Sequence, residues 1–291
     1  MATDRTIAYA GEPGAFAEDA VLAAFGDVER RGLGSFREVF EAVASRGAAA
    51  GVVPIENVIN GTVRENYDLL LEHDLQIVGE VVVPVRLCLA ALPGQTVDQI
   101  ERVYSHIQAL GQAEAFLRAR PWQLLTTYNT AGAGKSIVER QERGAAAVLS
   151  PRAAGLFGLE ILADEIGDLA GNRTRFVVLA DRPGASGEAG SRPVAPTPAS
   201  QPGAARRATL VLAVRNEPGT LLAVLRVFAD HQLNMSKLES RPSRERAWEY
   251  VFWVDLDADM SEPATSAVLQ ALGAVTTMVR VLGSYPKASG A

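Results

Sequence analysis

Cysteine and histidine are nearly absent: the 291 residues contain one cysteine, Cys88, and three histidines, His73, His106 and His231, far apart along the chain. A single thiol excludes an intramolecular disulfide, and so few scattered ligands argue against a His/Cys zinc site. Long apolar runs are missing too, since the best stretch, Val81 to Leu92, is interrupted by Pro84 and Arg86. That is too short to span a bilayer. Met1 to Thr6 lead directly into an apolar strand pattern without the hydrophobic core of a signal peptide, so a cytoplasmic protein outside the membrane is expected. Positive charge is in deficit, 28 basic against 34 acidic residues for a net charge of −6, and the basic residues form no stripe. This argues against a nucleic-acid partner. What remains, 48% hydrophobic and 21% charged residues, suits a soluble globular chain of about two domains.

One segment cannot build a core. From Arg182 to Arg206, 18 of 25 residues are Pro, Gly, Ala or Ser, with no Ile, Leu or aromatic residue. Residues 183–206 read as a linker spanning about 25–30 Å, enough for an independently folded module to follow. Before it, β-rich runs alternate with helical patterns: Thr6–Ala10 then Ala15–Phe25, Gly51–Pro54 then Val63–Glu72, Arg102–Ser105 then Ala109–Arg118, Ala146–Leu149 then Arg152–Phe157. Such alternation predicts an α/β sheet covered by helices, with ligands at strand-to-helix junctions where free N–H groups attract anions. After it, strands at Ala208–Arg215, Met235–Arg241, Trp248–Asp255 and Thr277–Tyr285, with helices at Gly219–His231 and Ala264–Leu272, give the order βαββαβ of a ferredoxin-like α+β domain.

Four segments carry chemistry. Ala8-Tyr9-Ala10-Gly11-Glu12-Pro13-Gly14-Ala15-Phe16 is a glycine turn able to cradle a carboxylate or phosphate, although ordinary turn chemistry needs the same residues. It has neither the dinucleotide fingerprint nor the P-loop lysine, so a nucleotide cofactor is unsupported. Gly51 to Val63, containing Val53-Pro54-Ile55-Glu56-Asn57, offers the amides of Asn57 and Asn60 near a helix start, where Asn60 or Thr62 equally suits a cap. Ser105-His106-Ile107-Gln108-Ala109-Leu110-Gly111-Gln112 places polar groups at a strand end, with no nucleophile elbow. In Gly171-Asn172-Arg173-Thr174-Arg175-Phe176, a threonine between two arginines opens a strand, and guanidinium groups there suit a dianionic ligand.

In this order, and followed by a module containing Glu239-Ser240-Arg241-Pro242, the four segments resemble prephenate dehydratases with a C-terminal ACT regulatory domain. The resemblance covers nearly the whole chain outside the linker. It implies a catalytic region, 1–182, built like a type II periplasmic binding protein, with lobe 1 at about 1–83 and 168–182, lobe 2 at about 84–167, and the active site between them; the ACT domain is 207–286. The implied reaction removes the ring hydroxyl and a carboxylate from prephenate, giving phenylpyruvate, CO₂ and water on the way to phenylalanine. Aromatisation supplies the driving force, so no cofactor is called for. Thr174 corresponds to the threonine that assists the departing hydroxyl. Asn57, Ser105 and Gln112 correspond to cleft positions, and Gly14, Ala15, Arg175 and Phe176 belong to the motifs taken to hold substrate.

Val58, Ile107 and Ala113 depart from the family pattern of Ser or Thr, Pro and Cys, and the stretch from Arg64 to Glu80 also resembles arogenate dehydratases. Prephenate and arogenate are therefore both candidate substrates, and a non-catalytic amino-acid-binding regulator is the alternative of a different class. The ACT resemblance further implies phenylalanine as effector at an interface of a dimer or tetramer, between Asn216, Pro218, Gly219, Thr220, Leu221 and Leu222 on one side and Asn234, Met235, Glu239 and Ser240 nearby. Removing residues 207–291 is then expected to leave a catalytic region insensitive to phenylalanine.

Overall fold

The structure, a computed structural model, describes residues 6–182, 205–242, 250–260 and 265–288. Most of the expected linker, and Trp248 and Ala264 at the starts of two expected elements, lie outside these residues. In chain order the elements are β1 (Ile7–Ala10), α1 (Phe16–Phe25), β2 (Arg30–Leu33), α2 (Phe36–Ala44), β3 (Ala50–Asn57), β4 (Gly61–Thr62), α3 (Arg64–Glu72), β5 (Leu75–Pro84), β6 (Cys88–Ala91), β7 (Arg102–Ser105), α4 (Ile107–Gln112), α5 (Glu114–Arg118), β8 (Gln123–Thr126), α6 (Thr130–Arg140), β9 (Ala145–Leu149), α7 (Pro151–Leu156), β10 (Glu160–Ala163) and β11 (Arg173–Asp181). Then follow β12 (Arg206–Ala213), α8 (Thr220–Asp230), β13 (Met235–Pro242), β14 (Tyr250–Leu256), α9 (Ser266–Val275) and β15 (Met278–Pro286). No helix among the described residues is long and apolar enough to cross a membrane.

Three sheets organise the chain. The first has the order β2-β1-β3-β11-β5, with β4 paired to β3; the returning strand β11 lies antiparallel between β3 and β5. The second, β10-β6-β9-β7-β8, is built wholly from residues 88–163. Its centre, β9, reads Ala-Ala-Ala-Val-Leu and is buried throughout, the continuous apolar run of a strand covered on both faces. The third, β13-β14-β12-β15, is fully antiparallel and completes the βαββαβ order.

Local chemistry ends the elements. Ser35, Asn129 and Ser150 cap α2, α6 and α7 by accepting from backbone N–H groups of the first turn, and Pro151 adds the favoured first helical residue. The single helix expected over 109–118 is instead two, because a distant residue inserts at Ala113: Asp168 N donates to Gln112 O, and its carboxylate accepts from Ala115 N. The strand expected to stop at Pro54 continues to Asn57, so Asn57 sits at a strand end and not in a helix turn.

Alternation along β12 and β14 gives the third sheet two covered faces. Leu210, Leu212, Val254 and Leu256 pack with α8 and α9, whereas Val211, Val251 and Trp253 join a core that includes Val53, Ile55, Tyr67 and Ile77 of the first sheet and its helices. Tyr67 meets Trp253 edge to face at 4.5 Å between ring centroids. Gly283 of β15 lies so close to β5 that a Cβ would stand 2.1 Å from Ile77 O. The module after the linker is thus not free-standing: it closes one face of the first sheet.

Candidate active site

A cleft of about 710 Å³ opens between the first and second sheets, lined from one side by Asn57, Thr174 and Phe176 and from the other by His106, Gln112 and Tyr128. Its floor is set by strand register, Thr174 standing directly opposite Asn57 where β11 meets β3. The Asn57 amide is fixed in orientation: Oδ1 accepts from Ile59 N (3.0 Å) and Asn60 N (2.9 Å), so Nδ2 is the donor. Nδ2 donates to Thr174 Oγ1 (2.9 Å) and Asn172 Oδ1 (2.8 Å), and Asn172 Nδ2 donates to Gln112 Oε1 (3.0 Å). This chain of amides joins α4 on one lobe to β3 and β11 on the other. The Thr174 oxygen accepts from Asn57, and no acceptor for its own proton is found among the described residues, so the hydroxyl is available to donate to a ligand in the cleft.

Charge around the cleft is uneven. Arg64, at the start of α3, is the arginine among the lining residues, next to Glu65. Phe16 and Ala17, the first residues of α1, line the cleft, and the helix starts without a side-chain cap. Glu12 ties the lobes at the mouth, accepting from Lys135 Nζ and Tyr128 Oη, each at 2.9 Å, and the Lys135 hydrogen bond holds its carboxyl below the usual range. His106 accepts from Gln108 N through Nδ1, and burial lowers its pKa, favouring the neutral ring.

Residues 7–184 match the family described as Prephenate dehydratase and residues 208–274 that described as ACT domain. The chain belongs to the prephenate dehydratase family. A curated relative, "Arogenate dehydratase/prephenate dehydratase 2, chloroplastic" of Arabidopsis thaliana, is 38% identical over 96% of this chain and 72% of its own. Among solved structures, a prephenate dehydratase from Arthrobacter aurescens in complex with L-Phe has a TM-score of 0.82 at 28% identity, covering 97% of this chain and 90% of its own. Another, described as GqqA, "a novel type of quorum quenching acylases", has a TM-score of 0.83 at 30% identity, covering 98% and 99%.

Within this prephenate dehydratase fold, Asn57, Gln112, Thr174 and Phe176 converge on the cleft, while other motif residues do not. Ser105 is fully buried and donates to Val148 O at 2.6 Å, tying β7 to β9; His106, its neighbour in the same motif, takes the lining position. Gly14 and Ala15 lie in the seam between lobes: Gly14 N donates to Glu18, Gly14 O accepts from Ser150 Oγ, and Ala15 packs on the core of the second sheet. Arg175 points to the opposite face of β11 from Thr174, where Glu56, Glu80 and Asp255 surround it. Burial alone would lower its pKa, but Asp255 and the other carboxylates outweigh that and raise it. Arg64, which no motif marked, is instead the arginine among the cleft-lining residues. Val58 is 74% exposed and is not part of the lining.

The expected effector residues also divide between two faces. Gly219 has φ 87° and starts α8, Thr220 Oγ1 donates to Arg215 O and Glu217 O, Leu221 faces the small apolar space between α8 and the sheet, and Leu222 is 60% exposed. Asn234 donates to Asp257 at the start of β13. Along β13, Leu238 faces α8 and Ser240 shares that side by alternation, but Glu239 turns to the catalytic region, where it accepts from Thr62 Oγ1. Glu239 accordingly makes a contact between the two regions, on the face of the sheet opposite α8.

Proposed function

We propose that this protein is a dehydratase acting on prephenate, or on its amino analogue arogenate, in phenylalanine biosynthesis. The observation that carries the reading is the Asn57–Thr174 hydrogen bond at the base of an interlobe cleft. Arg64 and the open N-terminus of α1 supply anion binding for a substrate with two carboxylates. Thr174 then donates toward the ring hydroxyl. The C–O bond breaks, electrons from the bond to the departing carboxylate complete the aromatic ring, and with one proton taken from solvent the products of prephenate are phenylpyruvate, CO₂ and water. A hydroxyl with so high a pKa serves as an aimed hydrogen-bond donor, strengthening as charge develops on the leaving oxygen. An acylase would need a nucleophile beside a base; Thr174 has an amide donor beside it instead.

The division of labour follows the sheets: 1–182 catalytic, with lobes at about 1–83 plus 168–182 and about 84–167; 183–206 connecting; 207–286 regulatory. Phenylalanine is the effector, bound on the α8 side of the ACT sheet at an interface between subunits of a dimer or tetramer, and the protein works in the cytoplasm. The test is direct: purified protein is given prephenate and, separately, arogenate, and phenylpyruvate and phenylalanine are measured. Product from either substrate, reduced or increased by added phenylalanine, supports the reading; no product from both overturns it in favour of a non-catalytic regulator.

A further inference from the structure

Strand alternation puts a second set of residues directly behind the active site. Thr174 and Asn57 face the cleft, so their neighbours Arg175 and Glu56, themselves paired across β11 and β3, face the ACT sheet. Arg175 Nη2 meets Glu56 Oε2 at 3.0 Å, and the ACT sheet grips both partners: Asp255 Oδ2 of β14 lies 2.9 Å from Arg175 Nη2, and Lys237 Nζ of β13 lies 3.1 Å from Glu56 Oε1. Asp255 is itself held by Thr209 Oγ1 at 2.7 Å, and Lys237 also reaches Thr62, a cleft residue, at 3.3 Å.

The ladder between β11 and β3 is irregular at this end, although β5 pairs Thr174 and Arg175 and β4 pairs Glu56 and Asn57 on their other edges. The register shifts between Arg175 and Phe176, leaving Ile55 as an extra residue on β3, and the pairing of β11 with β3 ends at Thr174 and Asn57. A bulge disrupts ladder bonds and re-aims side chains, so the two site residues gain from a further fixture on the far face of the sheet. The ionic pair behind it provides one, with side chains only 12% exposed for Arg175 and 6% for Asp255.

We propose that Lys237 and Asp255 are positioning residues of the active site: contributed by the ACT sheet, they fix Glu56 and Arg175 and thereby the Asn57–Thr174 geometry. This rests on the dehydratase reading. It gives the ACT sheet a role in basal catalysis, and it makes β13 and β14 the elements through which a change on the α8 side reaches the cleft.

The test uses the full chain with Lys237→Met, which keeps the bulk of the stem but not the charge, and Asp255→Asn. Both are compared with Arg280→Met, which removes a cation of the same interface that donates to Leu71 O and His73 O, away from the cleft. A misplacement of about 1 Å at a reacting group costs on the order of 10²-fold. For Lys237→Met and Asp255→Asn, kcat is expected to fall about 10- to 100-fold with KM within about threefold, in protein shown to be folded at the assay temperature. Lys237→Arg, which keeps a cation beside Glu56, is expected to restore kcat to within about threefold, and Arg280→Met to lower the unfolding temperature alone. If Asp255→Asn does not fold, the Lys237 pair decides. Wild-type kcat in folded Lys237→Met, or a loss no greater than in Arg280→Met, overturns the proposal. Should the wild type turn over neither substrate, the dehydratase reading has failed, and hydrogen exchange decides the positioning separately: faster exchange of the amides at 172–176 in Lys237→Met supports it, unchanged exchange overturns it.

Discussion

At Thr174 a valine would fill the same space while removing both the oxygen that receives Asn57 Nδ2 and the proton offered to the cleft. Loss of one aimed transition-state donor costs about 10²–10³ in rate. Thr174→Val is thus expected to lower kcat by that factor with KM nearly unchanged, measured by steady-state kinetics on whichever substrate is turned over. Ser105 makes the opposite case. Its hydroxyl satisfies Val148 O inside the second sheet, so Ser105→Ala is expected to destabilise the fold by about 1–3 kcal/mol, read from denaturant unfolding, without altering KM. The two serine and threonine positions looked alike as motif residues. What separates them is the direction of each side chain, which depends on strand phase and on neighbours more than 40 residues away.

At the scale of elements, the informative position is Gly283. Its Cα hydrogen faces the β5 backbone, and an alanine methyl would collide with Ile77 O, a backbone atom unable to rotate aside. Gly283→Ala is expected to cost on the order of 1–3 kcal/mol as β15 is pushed from β5, seen as a lower thermal midpoint. Much of the element order was legible in the chain: βα alternation marked the first two sheets, and the apolar phase of Leu221, Leu222, Leu225 and Phe228 marked α8. Less legible were pairings between distant segments. The break of the 109–118 helix depends on Asp168, and the outward turn of Arg175 depends on the register of β11 with β3; neither leaves a local signature. Thr174 and Asn57 stood out as candidates because their motifs resemble those of the family. Arg64 did not, since a lone arginine at a helix start is common on any surface.

For the whole molecule, the shared core changes what truncation does. Residues Val53, Ile55, Tyr67 and Ile77 pack in the same cluster as Val211, Val251, Trp253 and Tyr285, and buried Glu80 pairs with Arg207 and Arg175. A chain cut at residue 182 would expose that apolar face and strand the carboxylate of Glu80 and the guanidinium of Arg175 without their partners from the ACT domain. In place of an active, merely unregulated fragment, the expected product is a poorly soluble or loosely packed one. Near-ultraviolet circular dichroism and binding of a hydrophobic dye would report the difference; a fragment with native spectra and full activity would show the cover to be dispensable.

The placement of β11 also dictates an order of events while the chain is being made. The second sheet uses only residues 88–163 and can close as soon as that stretch has left the ribosome, but the first sheet has a vacancy between β3 and β5 that only residues 173–181 fill. The segment synthesised first therefore waits, with its centre missing, until the lobe inserted within it has been completed. During that interval β3 and β5 present unpaired edges to solvent or to a chaperone, and the Thr174–Asn57 pair comes into being only as the last strand of the catalytic region slides home.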